Sequence, residues 1–418
     1  MPIIAITHPS LNKMGGAEKM ALEIIKTLEN NGYQVHLYTI DETDWQIIEN
    51  KWGKYSRPSE EHAYIKEKLD PRSLYSWMKT LLIYLYILLK TYLNYQVTIN
   101  NYGEIIPYLS EITYFHAEPL YQQKNNPYYI PFWEFIKPIY EKSSNYLNKK
   151  YCNGVFITNS KYNADKIEAL YQKHAKIIYP FIEPITYYDN IQKTGNILII
   201  SRLTPGKNLK TIVPLVCSLK KLDFILMGQT TLHSGKIQNI LRDFNNITIV
   251  KNPSREKYED IIKKSSIVLG TQPNEAFGIS LLEAMSAGCI PIIYRGGGPW
   301  VDVFEKKNGV YGYSYRTTEE AEEMIRFVLS NGSERETLRE NSIKRANQFN
   351  EYQFKAKILK IVEETYNSPI NKLDLYHKIN SYKKQLSGYR NKIKTRLQEL
   401  RRFLSKKLNT GKETLINI

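Results

Sequence analysis

Cysteine is scarce in this chain: three in 418 residues, Cys152, Cys217 and Cys289, far apart and in apolar surroundings. Their odd number and wide spacing exclude a disulfide framework and a zinc-binding pattern, and they read as reduced core residues of a cytosolic protein. The seven histidines show no metal-ligand spacing, so no metal site is expected. The amino terminus, MPIIAITHPS, lacks a basic region followed by an apolar signal core, which argues against export. Long hydrophobic runs are also missing. The most apolar stretch, MKTLLIYLYILLKTYL (Met78 to Leu93), falls short of the ~20 residues that span a bilayer. Lys79, Tyr86 and Lys90 recur along one helical face of it, so it reads as a helix that is buried or lies in a membrane surface.

What is present is length, charge and periodicity. The chain exceeds one ordinary core and suits two domains of roughly 180 residues each plus an extra segment. The net charge is +16, and residues 371–418 hold 13 Lys and Arg against 3 Asp and Glu, so +10 of the excess sits in the tail.

PIIAIT reads as a buried strand, AEKMALEIIKTLENNG as an amphipathic helix ending at Gly32, and YQVHLYT as the next strand. This βαβ opening implies a parallel sheet with ligands gathered at strand ends. Further strands are expected at VTI, EITYFH, GVFITNS and AKIIYP, then at NILIIS, LDFILMG, ITIV, SIVLG and CIPIIY. The fold class is therefore α/β, with two doubly wound Rossmann-like domains facing a cleft. The boundaries fall at residues 1–183 for the amino-terminal domain and 184–366 for the carboxyl-terminal one, whose last helix packs back on the first domain. Residues 367–418 form a basic helical tail, in which Ile379, Tyr382, Leu386, Tyr389, Ile393, Leu397, Leu400 and Leu404 step by three or four.

One stretch carries most of the chemistry. NEAFGISLLEAM (Asn274 to Met285) places Glu275 just before a helix and Glu283 inside it. If the helix begins near Gly278, the N–H groups of Phe277, Gly278 and Ile279 surround an anion site suited to a diphosphate. Glu275, beside Ala276, would accept hydrogen bonds from sugar hydroxyls, and Glu283, some ~6 Å along the axis, would take a vicinal diol such as ribose. Complementing a helix dipole is the competing role for both acids. ISRLTPGKNLKTIV adds Arg202 at a strand end and Lys207 in a Pro-Gly turn, two cations able to neutralise a leaving diphosphate. The MGGAE loop, with Gly15 and Gly16, lets backbone approach a ligand closely, but it lacks the full G-x-G-x-x-G pattern of a dinucleotide site.

These motifs together resemble the family 4 glycosyltransferases, retaining enzymes of the GT-B fold. The likeness runs over most of residues 1–365 and is strongest at E-A-F-G-I-S-L-L-E followed by A-M-S-A-G-C-I-P-I-I, with R-L-T-P-G-K and G-G-A-E in agreement. The chain departs from the usual K-G pair, because Asn208 follows Lys207. A closer likeness is to the α-1,2-mannosyltransferases of dolichol-linked oligosaccharide assembly, carried by THPSLNKMGGAE, YFHAEP, ITNSKYNADKI, IIYPFI and GGGPWVDVF. It is looser between Asp41 and Asn94 and absent from the tail. The resemblance implies a nucleotide-sugar donor, GDP-mannose, and a lipid-linked glycan acceptor. Glu275 would contact the transferred sugar, Glu283 the ribose, and Arg202 and Lys207 the diphosphate. Gly15, Gly16 and the Phe277–Gly278 backbone would lie nearby, and His116 of YFHAEP would approach the sugar from across the cleft. Physically, a histidine there could donate to a hydroxyl or to developing charge, or it could be structural.

No two aspartates stand one residue apart, so the D-x-D metal clamp of the other major transferase fold is missing. No cofactor is expected. A UDP-sugar donor used in cell-surface glycan synthesis is the alternative donor reading. YYIPFWEFIKPIY (Tyr128 to Tyr140) offers aromatics suited to a headgroup boundary, with a packed irregular core segment as the alternative. The basic tail would attract anionic lipid, pair with a partner helix or remain a solvated arm. The expected location is the cytosolic face of a membrane. Nucleic-acid binding, suggested by the pI near 9.3, is a distant alternative, because the charge lies outside the two domains and no nucleic-acid module appears.

Overall fold

The computed structural model describes residues 1–66, 74–104, 106–118, 137–138, 141–142, 154–188, 191–204, 211–230 and 234–368. Lys207, the aromatic segment apart from residues 137–138, Cys152 and the tail from residue 369 lie outside them. Residues Met1–Pro369 form one compact unit.

Two parallel sheets organise that unit. The first is built from β1 (Ile3–Thr7), β2 (Gln34–Asp41), β3 (Glu60–Ile65), β4 (Val97–Asn100), β5 (Ile112–Phe115), β6 (Val155–Thr158) and β7 (Ala175–Ile177), in the order β3-β2-β1-β4-β5-β6-β7. The second holds β8 (Ile197–Ile200), β9 (Phe224–Gly228), β10 (Ile247–Lys251), β11 (Ile267–Gly270), β12 (Ile290–Tyr294) and β13 (Tyr313–Tyr315), in the order β10-β9-β8-β11-β12-β13. Strands such as IIAIT and VTIN are apolar or β-branched and buried on both faces, as parallel sheets require when helices cover both sides. Each sheet changes winding direction at its centre, between β1 and β4 and between β8 and β11. Ligands of such sheets bind at the carboxyl ends of those central strands.

The helices are α1 (Gly16–Glu29), α2 (Trp45–Trp52), α3 (Leu74–Asn94), α4 (Lys161–Tyr171), α5 (Ile212–Ser218), α6 (Ser234–Leu241), α7 (Arg255–Lys264), α8 (Ile279–Ser286), α9 (Thr318–Ser330), α10 (Gly332–Ala346) and α11 (Glu351–Asn367). α11 follows the second sheet in sequence, yet Phe354, Ile358, Ile361 and Val362 enter the core of the first sheet beside Ile24, Ile99 and Ile157. Conversely, Ile182 and Ile185, which follow the last strand of the first sheet, join Phe277, Leu282 and Phe349 in a core under the second. The chain therefore passes between the halves twice.

Two expectations are corrected, one for Cys217 and one for the histidines. Cys289 is buried, but Cys217 is exposed, because α5 turns Ile212, Leu215 and Val216 inward and leaves the next position outside. The apolar run of α3 is not wholly buried. Tyr84, Ile87, Leu88 and Tyr92 pack inward, while Tyr75, Met78, Leu82 and Tyr86 form an exposed stripe. Among the described residues no helix is long and apolar enough to cross a membrane. Finally, His36, Glu60 and His62 do converge, with one ligand atom of each within 4.8 Å of the others. Residues 24 apart meet there because β2 and β3 pair in parallel with His36 opposite Glu60. The β3 segment, EEHAYI, alternates too weakly to read as a strand, which suits its place on the sheet edge.

Candidate active site

The amino terminus of α8 is the candidate anion site. Gly278 caps it with φ of 97°, a left-handed conformation natural to glycine, with no side-chain capping bond and no acidic residue in the first turn. A helix opening of this kind carries N–H groups and a dipole end that suit an anion. Phe277 is buried, stacked on Tyr179 with ring centroids 5.5 Å apart and edge-on to Phe349 at 5.2 Å, so its side chain anchors the loop and its backbone faces the helix mouth. The glycine run Gly296–Gly298 lies directly against this loop. A Cβ at Gly297 would stand 2.5 Å from the Glu275 carbonyl oxygen, and one at Gly298 would stand 2.1 Å from that of Ala276. The Gly298 N–H also donates to Glu275 O over 2.8 Å. Glu275 and Ala276 are therefore held by backbone, and Glu275 keeps its side chain partly exposed beside the opening.

Glu283, one turn into α8, is buried and gripped from α7. Arg255 donates to its Oε1 over 3.1 Å and the Tyr258 hydroxyl to its Oε2 over 2.7 Å. Burial and the adjacent carboxylate push the Tyr258 hydroxyl well above its ordinary pKa, so it remains a donor. Sequence reasoning named Glu283 and missed both partners. REKYEDIIKK puts Arg255 and Tyr258 three apart on a helix, but nothing local shows which element that face meets.

Across from α8 lies the first turn of α1. A Cβ on Gly16 would stand 3.4 Å from Ile279 Cδ1, so the two helix openings face each other closely. The α1 opening is already occupied by its own acid, since the Gly15 N–H donates to Glu18 Oε2 over 2.7 Å. An incoming anion is therefore favoured at α8. His8, at the end of β1, is fully buried and accepts from the Ser10 N–H on Nδ1. Its Nε2 lies 3.9 Å from Glu18 Oε1 with no hydrogen-bond partner. Burial, reinforced by Lys13, pushes His8 down to about 3.

His116, just past β5, has Nε2 3.0 Å from Asn101 Oδ1. The Asn101 amide nitrogen donates to Ala17 O, which turns its oxygen toward the imidazole and assigns the proton to Nε2. Burial, with His8 nearby, lowers His116 to about 3, so it is neutral near pH 7. Its one N–H is thus directed at Asn101 rather than at a ligand, and Nδ1 is left as an acceptor. Of the two roles open to His116, donor to a ligand or structural histidine, this bond to Asn101 fits the structural one. Below it, Glu104 accepts the backbone N–H groups of His116 and of Ala117, the latter over 2.8 Å, and burial raises it to about 7 against those bonds.

Arg202 follows β8 at the centre of the second sheet and is exposed. Its positive charge acts on Lys13, Lys51 and Tyr102 of the first sheet's half. Lys51 donates to Met14 O over 2.6 Å, and burial lowers it to about 8. The structure thus gathers Gly15, Gly16, His116, Arg202, Ile279 and the Glu275–Gly278 loop around one cleft. Lys13, Lys51 and Asn101 were missed because they meet the loop only through the fold, whereas Glu18 caps α1 locally, three residues after Gly15.

Further contacts join the halves beside the cleft. Buried Asp302 accepts the Lys161 and Tyr162 N–H groups over 2.6 and 3.2 Å and so caps α4 from the second half. The Tyr162 hydroxyl donates to Asn274 Oδ1 over 3.1 Å, adjacent to Glu275.

Residues 189–345 match the family model for glycosyl transferases group 1. Over 242 residues, 51% of this chain and 49% of the relative, the chain is 24% identical to human GDP-Man:Man(3)GlcNAc(2)-PP-Dol alpha-1,2-mannosyltransferase. Its namesake from Caenorhabditis elegans is 27% identical over 191 residues, 41% of this chain and 40% of that one. The chain spans about half the length of the curated relatives it matches. Among solved structures, Anabaena HepE in complex with UDP and glucose aligns with a TM-score of 0.63 at 15% identity, over 86% of this chain and 99% of that one. Sucrose-phosphate synthase from Thermosynechococcus elongatus aligns at 0.65 and 14% identity, over 88% of this chain and 100% of that one. These likenesses show the fold to be GT-B.

Proposed function

We propose that this chain, whose residues 189–345 are a group 1 glycosyltransferase domain, is a retaining glycosyltransferase that moves mannose from GDP-mannose to a polyprenyl-diphosphate-linked glycan. The observation that supports the reading is the Gly278 opening of α8, with Glu275 before it, Glu283 one turn inside, and Gly16 facing it. A donor diphosphate fits the N–H groups at Gly278 and Ile279. Arg202 and Lys207 supply positive charge as that diphosphate leaves, so we propose that transfer needs no divalent metal. Glu275 takes hydroxyls of the transferred sugar. Glu283, held by Arg255 and Tyr258, offers the lone pairs it has left to the ribose diol. Neutral His116 accepts from a sugar hydroxyl at Nδ1. Mannose and GDP are favoured over other donors by the likeness to the mannosyltransferases.

The acceptor reading is supported by the same relatives and by the exposed stripe Tyr75, Met78, Leu82 and Tyr86 on α3. That helix contains Lys79 and Lys90 and no acidic residue, a composition suited to an anionic lipid surface. With the basic tail and the aromatic segment, it suits peripheral attachment to the cytosolic face of a membrane.

Calorimetric titration without divalent metal, using GDP-mannose, UDP-glucose and UDP-N-acetylglucosamine, tests the donor. GDP-mannose should bind selectively, and Glu275→Ala should weaken it and abolish transfer while leaving the melting temperature within ~2 °C. Binding of a UDP sugar instead would retain the site and discard the mannosyl donor. Binding of none of the three would overturn the enzyme reading.

A further inference from the structure

We propose that His36, Glu60 and His62 form a binding site for a divalent transition cation, zinc in the first place, on the outer edge of the first sheet. The site is separate from the cleft: His36 pairs with Ala5 in mid-sheet, whereas the cleft lies beyond the carboxyl end of β1. Parallel pairing sets His36 opposite Glu60 and Tyr38 opposite His62. Residues two apart on a strand share a face, so the two pairs put both imidazoles and the carboxylate on one side of the sheet.

The donor atoms are already close to a coordination geometry. His62 Nε2 lies 3.1 Å from Glu60 Oε2, and His36 Nδ1 lies 3.7 Å from the same oxygen. Ligands held at zinc's usual bond lengths in a tetrahedron are about 3.3 Å apart. Two imidazoles and one carboxylate are a donor set that zinc accepts, with a fourth position left for water. The rings are also held in place. His62 stacks on Tyr38 with centroids 4.5 Å apart, and the Tyr95 hydroxyl lies 2.8 Å from His36 Nδ1 and 2.7 Å from the Tyr38 hydroxyl. A cation on His36 Nδ1 would displace the Tyr95 hydroxyl from that nitrogen. Lys90 packs on the same aromatic group, 5.6 Å from the Tyr38 ring centre, and its ammonium donates to Tyr64 over 3.0 Å. This neighbouring positive charge limits affinity, so micromolar rather than nanomolar binding is expected.

The cation would be structural. β3 is the sheet edge and is partly or fully exposed along its whole length. A metal shared between His36 on β2 and two residues of β3 would fasten that edge. It would also steady Glu61, which accepts from Trp45 Nε1 over 2.8 Å and from the Thr43 N–H over 3.2 Å at the rim of an open groove.

The test is calorimetric titration of the EDTA-stripped full chain with zinc chloride, repeated with cobalt chloride while visible absorbance is followed. One zinc per chain should bind, cobalt should produce visible ligand-field bands, and zinc should raise the melting temperature by a few degrees. His62→Ala and Glu60→Gln should each weaken zinc by roughly tenfold or more, while their melting temperatures in EDTA stay near that of the parent. Glu60→Gln keeps the shape of the side chain and guards against loss of fold in the histidine variant. Absence of one-to-one binding at ~100 μM zinc overturns the site. So does zinc binding that both variants leave unchanged, which would assign it to other side chains.

Discussion

The Tyr258 hydroxyl donates to Glu283 Oε2 over 2.7 Å, joining α7 to the helix whose amino terminus opens on the cleft. Arg255 holds the other oxygen of the same carboxylate, so Glu283 enters any donor complex already oriented. Tyr258→Phe removes one bond to a buried charged group. It should weaken nucleotide-sugar affinity about threefold to tenfold and leave kcat nearly unchanged. Equal affinity of the two proteins by calorimetry would detach Glu283 from donor binding.

The glycine run makes a sharper structural prediction. A Cβ at position 298 would fall 2.1 Å from Ala276 O, a contact that only backbone movement relieves. Gly298→Ala should cost on the order of 2–4 kcal/mol and displace the loop that carries Glu275. Denaturant unfolding should show the lost stability, and donor titration should show weakened binding even at temperatures where the variant is folded.

The acid limb of stability should trace to two histidines. The unfolded chain protonates a histidine below about 6.5, whereas His8 and His116 in the folded chain do so only below about 3. The unfolded state therefore binds more protons across that window, and stability falls as pH drops through it. Glu104 acts in the opposite sense. Between its ordinary 4.5 and its folded value of about 7, the native state holds the extra proton, and its contribution is lost as pH rises. Urea unfolding at stepped pH should show His116→Gln flattening the acid side and Glu104→Gln flattening the range from 4.5 to 7. Curves parallel to the parent would contradict both assignments.

The exposed stripe of α3 predicts where lipid contact begins. Leu82 is 61% exposed between Met78 and Tyr86, so Leu82→Glu places a charge on the stripe without entering the core. Flotation with vesicles rich in anionic lipid should fall severalfold, while the melting temperature and transfer to a soluble acceptor stay close to the parent. Unchanged flotation would leave the tail or the aromatic segment as the candidate contact.

The helix boundaries around the candidate site were legible in one dimension because they rest on local geometry. Gly278 begins a helix, Glu283 lies one turn inside it with Glu275 in the loop before it, and Gly15–Gly16 open α1, since caps and periodicity depend on neighbours in sequence. The His116 protonation state was not legible. It depends on Asn101, fifteen residues earlier on another strand end, and on burial beside His8. The grip on Glu283 depends likewise on a helix 25 residues away.

The sequence by itself determined the alternation of apolar strands and amphipathic helices, and with it two doubly wound sheets, because hydrophobic period and turn chemistry are properties of short segments. Only the tertiary structure decided which charges face which. It set Gly16 against Ile279, put the charge of Arg202 within reach of Lys13, and brought His36 to Glu60 and His62. The reason is physical. Pairing register and strand order bring distant residues within a few ångströms, and at that range electrostatics and hydrogen bonding set protonation, orientation and ligand preference.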